Sequence, residues 1–223
     1  MDNRSRPSTL ARFALATAIA LTGPFVTSIQ APAQAETPRD QGAEQFVQAQ
    51  GQRLVSILAD KSQSMADRIR AFHTAVDEIA DVPRITRFVL GKYARTITPA
   101  QMQRFAPVFQ DYAQNVYQQR LSDFRGDTLT VTGSLARGPG DVVVSTTITG
   151  GGVKQPARVS WRVMGSGSNW KVVDVEVSGV WLAITQQDDF VSTIDNHGGN
   201  IDALISRLEQ LTKARPTGAT ADH

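Results

Sequence analysis

The sequence predicts an α+β domain: helices first, then an antiparallel meander of four or more strands, then two further helices. Three observations carry this. Apolar residues recur at helical spacing from Phe46 to Tyr117. After Gly126 the period shortens to two, and Gly-rich runs of hairpin length separate the alternating segments. Helical spacing then returns after Val180. Segregated runs of helix and strand point to α+β rather than to a doubly wound parallel sheet. An antiparallel sheet in such a domain keeps one face for water and one for the helices.

The first stretch reads as a cleaved export signal rather than as part of the fold. Arg4, Arg6 and Arg12 make a basic start, Phe13 to Leu21 an apolar core, and Ala33-Gln34-Ala35 a small-residue cleavage site. The apolar core is shorter than the roughly 20 residues of a membrane-spanning helix. No Cys follows the cleavage site for a lipid anchor, so stable membrane insertion is not expected. The expected organisation is a signal peptide over 1–35, a flexible lead-in over 36–42, one domain over 43–213 and a flexible tail over 214–223.

Removing the leader changes the charge balance. It takes three Arg and one Asp from totals of 23 basic and 21 acidic residues, leaving 20 of each. A neutral domain lacks the summed field that drives nucleic-acid binding or adhesion to anionic membranes, so neither is expected. The chain has no Cys, which excludes thiol nucleophiles and thiolate metal sites.

Each element has its own justification. From Ala43 to Asp60 the residues Phe46, Val47, Leu54, Ile57 and Leu58 mark one helical face. Ser64 with Asp67 resembles a capping box opening a helix that carries Ile69, Phe72, Val76 and Ile79. Asp81 and Pro83 start a short helix that Gly91 is expected to cap. Thr98-Pro99-Ala100-Gln101 is the clearest helix start in the chain. The helix it opens carries Met102, Phe105, Phe109, Tyr112, Val116 and Tyr117, with Pro107 expected to kink it. Strands are expected over Leu129–Val131, Val142–Thr149, Ala157–Met164 and Trp170–Val177. Helices close the domain over Val180–Asn196 and Ile201–Leu211.

Nothing in the chain argues for an enzyme, a metal or a cofactor. The Gly-rich runs after Arg137, Thr149 and Met164 join strand to strand, whereas a phosphate cradle feeds a helix. His73 and His197 have no metal-ligand spacing, and both read as packed or surface residues. Asp188 and Asp189 are helix neighbours pointing about 100° apart, which does not suit paired acid–base work. There is no G-x-S-x-G elbow.

The apolar face is more informative. Val159, Trp161 and Val163 share one strand face, as do Val142, Val144, Thr146 and Ile148. Val173, Val175 and Val177 alternate with Asp174, Glu176 and Ser178. Tyr112 and Tyr117 bring polar tips on apolar bodies. Periodicity alone favours an ordinary packed core, and it does not distinguish a filled core from a ligand cavity.

Three runs, in order behind an export signal, resemble a known family. Phe88-Val89-Leu90-Gly91-Lys92-Tyr93 is followed by Thr98-Pro99-Ala100-Gln101 and the spaced aromatics Phe105, Phe109, Tyr112 and Tyr117. Trp170, Asp174 and Gly179-Val180 form a second pattern. Gly199-Asn200-Ile201-Asp202-Ala203-Leu204 with Leu208 forms the third. Together they resemble the MlaC or toluene-tolerance family, periplasmic phospholipid carriers of Gram-negative bacteria, over roughly residues 44–213. Trp181 departs from the pattern, since the family commonly has Ser there.

The resemblance implies a deep apolar cavity that holds acyl chains, with the head group near its mouth. It also implies an inner-membrane ABC transporter and an outer-membrane lipoprotein–porin complex as partners. The residues expected to line the cavity are Val144, Thr146, Val159, Trp161, Val163, Val173, Val175 and Val177 from the sheet. Phe88, Tyr93, Phe109, Tyr112 and Tyr117 join them from the helices, and Trp181 from the rim. One branch of the family is associated with hopanoid synthesis, so a polycyclic-lipid carrier stands as an alternative to a glycerophospholipid carrier. An exported structural or enzymatic module with a packed core is the alternative of another class.

Overall fold

The computed structural model describes residues 39–122 and 125–213, with side chains for 39–116 and 125–213. The proposed leader, the terminal tail and the Tyr117 side chain lie outside the described residues.

Four helices and a helical turn precede the sheet. They are α1 (Gln41–Ala59), α2 (Met65–Ile79), α3 (Val82–Phe88), a 3-10 turn (Gly91–Arg95) and α4 (Pro99–Ser122). Their starts are fixed by local side chains. Asp40 Oδ1 accepts from the Ala43 amide at 2.9 Å, so α1 begins two residues before the expected Ala43. Gln41 and Gly42, assigned to a flexible lead-in, form its first turn instead. Ser64 Oγ accepts from the Asp67 amide at 3.1 Å and donates to its carboxylate at 2.6 Å. Thr98 and Gln101 cap each other reciprocally: the Gln101 amide donates to Thr98 Oγ1 at 3.2 Å, and the Thr98 amide to Gln101 Oε1 at 3.1 Å. α4 runs through Pro107 to Ser122.

Gly91 does not cap α3, which ends on Val89. It opens the 3-10 turn at φ +52°, where a Cβ would stand 2.6 Å from Val191 Cγ2. The left-handed backbone and the close approach both require glycine.

The sheet is a meander of β1 (Thr128–Gly138), β2 (Asp141–Thr149), β3 (Ala157–Ser166), β4 (Asn169–Val177) and β5 (Val180–Trp181), antiparallel throughout and in sequence order. Two expectations need correction. β1 has eleven residues where only Leu129–Val131 were expected, because pairing with β2 extends it through a Gly- and Ser-containing stretch of weak strand preference. Val180 and Trp181, expected to start a helix, turn back on β4 as a fifth strand. α5 (Leu182–Asp195) and α6 (Ile201–Lys213) follow.

Two apolar clusters result. One joins the inner face of the sheet to α1 and α2 through Val47, Leu54, Val55, Ala75 and Ile79. The other gathers α4, α5 and α6 around Phe105, Phe109, Phe190, Ile194, Leu204, Ile205 and Leu208. Asp202 ties α6 to α4, accepting from Gln101 Nε2 and Arg104 at 2.7 Å each. The part of β4 that β5 leaves unpaired, and the outer edge of β1, are both covered. Ala80, extended between α2 and α3, bridges Val172, and the Asp81 amide donates to the Val172 carbonyl at 2.9 Å. On the other edge, Gln48 and Gln52 of α1 bond the backbone of β1.

Candidate functional site

The register aligns the sheet candidates in cross-strand rows. Val142 lies opposite Val163, and Val163 opposite Val172. Val144, Trp161 and Val175 form the next row, and Thr146, Val159 and Val177 the last. Val144 and Val163 are fully buried, Thr146, Val159 and Trp161 nearly so, and Val175 packs against them from partial cover. These six form one surface under α1 and α2, as the parity predicts.

The pattern breaks in β4. A bulge opposite the Arg162–Val163 step makes Val173 the extra residue, and Val172 takes the inward place. Val173 is buried but belongs to neither apolar cluster. Val177 ends its row 38% exposed. Asp174, expected to face water, is 6% exposed. Its Oδ1 accepts from the Val175 and Ala183 amides at 2.8 Å each, so β4 supplies the cap that the first turn of α5 otherwise lacks. Burial pushes the Asp174 carboxyl up, and the amides bonded to it oppose that shift.

One polar pair sits within the apolar surface. Trp161 Nε1 donates to Thr146 Oγ1 at 3.0 Å, and that hydroxyl donates to the Val159 carbonyl at 2.8 Å. Both groups are satisfied in place, so the surface remains apolar toward α1.

The helical candidates lie in the other cluster. Phe109 stacks on Phe105 with centroids 5.7 Å apart, and Phe190 meets both edge-on. Tyr112 leans on Phe190, and Phe88 packs at the margin. Tyr93 donates its hydroxyl to the Asp195 carboxylate, which Lys92 Nζ also approaches at 2.8 Å. Trp181 is half-buried at the junction of β5 and α5, in neither cluster. The candidates therefore occupy two layers and do not surround one hollow. Parity identifies which face of a strand is covered, but not which helices cover it.

The deep apolar cavity implied by the resemblance does not stand open among the described residues. Its proposed sheet wall is packed against α1 and α2. A groove of about 360 Å³ lies between α1, the end of α2 and the start of β4. Phe46, Ile79 and Trp170 give it apolar walls, and Gln50, Arg53, Glu78 and Lys171 polar ones. A second hollow of about 40 Å³, beside Tyr112 and Phe190, is far smaller than ligand pockets generally are. The groove residues were missed in the sequence because Phe46, Ile79 and Trp170 read as core. The convergence of Arg53 and Lys171 depends on the α1–α2 packing.

Among the described residues no group of three or more His, Asp or Glu side chains could hold a metal, and no helix is long and apolar enough to cross a membrane. His73 lies half-buried in α2 with its Nε2 unpartnered, and burial lowers its pKa. His197, in the turn after α5, has its Nδ1 2.7 Å from the Thr193 carbonyl of that helix.

The family model for the MlaC protein matches residues 48–210, most of the chain and nearly all of the described fold. The chain belongs to the MlaC family. Two relatives define its neighbourhood. The toluene tolerance protein ttg2D of Pseudomonas putida is 27% identical over 177 residues, covering 77% of this chain and 79% of the relative. A phospholipid-binding protein from Ralstonia solanacearum, solved in complex with a phospholipid, superposes with a TM-score of 0.66 at 25% identity. That match covers 77% of this chain and 97% of the other.

In this MlaC family member the motif residues have structural duties. Val89 and Leu90 are fully buried and Gly91 admits Val191. Trp170 is buried beside Gly42 of α1. Asp174 caps α5, and Ser178 and Gly179, at φ 53° and 84°, make the two-residue turn into β5.

Proposed function

We propose that the protein carries a glycerophospholipid across the periplasm, sheltering the acyl chains between the inner face of the sheet and the α1–α2 pair. The observation that carries this reading is the structural likeness to a protein solved with a phospholipid bound, over nearly all of that protein's length. Family membership supports the same reading.

Elementary energetics suits a carrier. Moving an acyl chain of ~16 carbons into water costs about 13 kcal/mol at ~0.8 kcal/mol per CH₂. An apolar interior removes most of that cost without any catalysis. Loading requires α1 and α2 to part from Val144, Trp161 and Val163, since these side chains are packed together. In this reading Phe105, Phe109 and Phe190 of the second cluster stay packed as a rigid base, with Phe88, Tyr93 and Tyr112 around them. The signal-like leader supports a periplasmic location. An inner-membrane ABC transporter and an outer-membrane lipoprotein–porin complex would deliver and accept the cargo. No observation favours a polycyclic lipid over a phospholipid.

Mass spectrometry of an organic extract, from protein purified without detergent, tests the reading. Phospholipid approaching one molecule per chain is expected. Hopanoid without phospholipid, or protein that neither contains nor accepts lipid, would overturn it.

A further inference from the structure

We propose that the corner formed by the β4–β5 turn and the first turn of α5 docks on an anionic lipid bilayer, with Trp181 at the level of the head groups. The inference rests on the carrier reading for its purpose, but on this corner alone for its chemistry.

The corner gathers exposed apolar surface. Of the five large apolar residues that stand exposed among the described residues, three lie here: Val177, Val180 and Ile184. From Val177 to Gln187 the chain carries no charged side chain. Register places Val177 opposite Val180 on one face of the two-strand ribbon, and Glu176 opposite Trp181 on the other. A single exposed aliphatic residue is ordinary, whereas a cluster of them beside an aromatic marks a contact surface. Backbone ties hold this cluster outward. Ser178 and Gly179 turn the chain at positive φ, and the Asp174 carboxylate accepts from the Ala183 and Ile184 amides.

Trp181 says what kind of surface is met. It is half-buried, and its indole N–H has no partner among the described residues and is open to water. An indole with a covered apolar body and a wet N–H suits a membrane–water interface. The aliphatic residues beside it reach the acyl boundary below the head groups.

Charge selects an anionic bilayer. Between Asp141 and Asp174 the chain has Lys154, Arg158, Arg162 and Lys171 and no acidic residue. Arg162 pairs with Asp141, and Lys171 lies toward the other end of β4. Arg158 precedes Val159, the partner of Val177, and so stands beside the turn at Ser178. Lys154 lies in the connection that enters β3 at the same end of the sheet. Both are exposed, and neither forms an ion pair among the described residues. Glu176 is half-buried across from Trp181, and Asp188 stands one turn of α5 beyond Ile184, away from the ribbon. The two free cations complement lipid phosphates beside the ribbon, while the apolar residues hold the contact. Val177 also ends the inward row of Thr146 and Val159, so the docked corner adjoins the sheet face that would shelter the acyl chains. So few residues make a shallow, reversible contact, which a carrier that must leave the membrane requires.

Flotation with vesicles tests the docking, on equal parts phosphatidylglycerol and phosphatidylcholine and on phosphatidylcholine alone. The variants are Trp181→Ser, V180S/W181S and K154A/R158A, with L135S/L211S as the control for exposed apolar residues elsewhere, and circular dichroism checks each fold. The wild type should partition onto the mixed vesicles, about fivefold or more above both Trp181 variants, with the control unchanged. K154A/R158A should fall to the level seen on phosphatidylcholine alone. If V180S/W181S loses its fold, Trp181→Ser decides. No partitioning by the wild type, no preference for the anionic vesicles, or equal partitioning by folded Trp181→Ser overturns the proposal. So does self-association without partitioning that is lost in V180S/W181S, which assigns the corner to a second copy of the chain. Phospholipid in the recovered protein is measured separately by mass spectrometry. Partitioning without uptake upholds the docking corner and ends the carrier reading, and uptake without partitioning does the reverse.

Discussion

The Gln48 side chain pairs with β1 as a neighbouring strand would: Nε2 donates to the Leu129 carbonyl at 2.8 Å and Oε1 accepts from the Val131 amide at 3.0 Å. Gln52, one turn on, does the same for the Leu129 amide and the Asp127 carbonyl, at 2.7 and 2.9 Å. Two glutamines thus seal an edge strand and fix α1 across the sheet. Gln48→Leu strands two part-buried backbone groups. It should lower stability by about 1–3 kcal/mol in urea unfolding and raise self-association in sedimentation. A loss below about 0.5 kcal/mol would show that water replaces the amide freely.

Asp174 and Asp141 should give opposite pH dependences. Burial raises Asp174 above its ordinary value of 3.8, so its contribution is full below that value and is lost as pH rises through the raised one. Asp141, 2.7 Å from Arg162, is held below the same value by that guanidinium, so its contribution is lost as pH falls through the depressed one. Urea midpoints between pH 2.5 and 7, on the order of a carboxylate's range, should show the loss above 3.8 disappearing in Asp174→Asn. The loss below 3.8 should shrink in Asp141→Asn. The reverse assignment would contradict the burial and pairing described.

Gly91→Ala combines a left-handed backbone with a collision. The φ of +52° costs an L-residue about 1–2 kcal/mol, and the new Cβ meets Val191 Cγ2 at 2.6 Å. A total loss of roughly 2–3 kcal/mol is expected by thermal or urea unfolding. Gly91→Ala with Val191→Ala should recover the steric share only, and full recovery would remove the backbone argument.

These cases separate what the sequence discloses from what it hides. The caps at Ser64, Asp81 and Thr98 were readable because donor and acceptor lie three residues apart. The inward row of Val144, Trp161 and Val163 was readable because strand parity is local. The bulge at Val173 was not, since the partner strand decides which residue is extra. Asp174 read as a surface charge because its acceptor role is to Ala183, nine residues on and past a turn. The roles of Gln48 and Gln52 were not legible, because their partners are 75 or more residues away. The separation of Phe109 and Tyr112 from the sheet was hidden for a similar reason, since it depends on how α4 packs against α5 and α6.

Val175→Trp tests the sheet wall. Val175 is partly buried in the row with Val144 and Trp161, so in the proposed binding mode a larger side chain there would fill space that an acyl chain would take. Phospholipid loading should fall severalfold, with circular dichroism unchanged and about 1–3 kcal/mol of stability lost to overpacking. Unchanged loading would remove this residue from the wall.

The most direct measurement maps the chain in place. The protein is loaded with phosphatidylglycerol bearing a photoreactive group at the end of one acyl chain, then irradiated and mapped by mass spectrometry. Adducts should fall on the inner sheet face, at Val144, Trp161 or Val163, and on α1 or α2 opposite them. Adducts confined to solvent-facing residues, or to Phe105, Phe109 and Phe190 in the helical cluster, would contradict a lipid sheltered beneath the sheet.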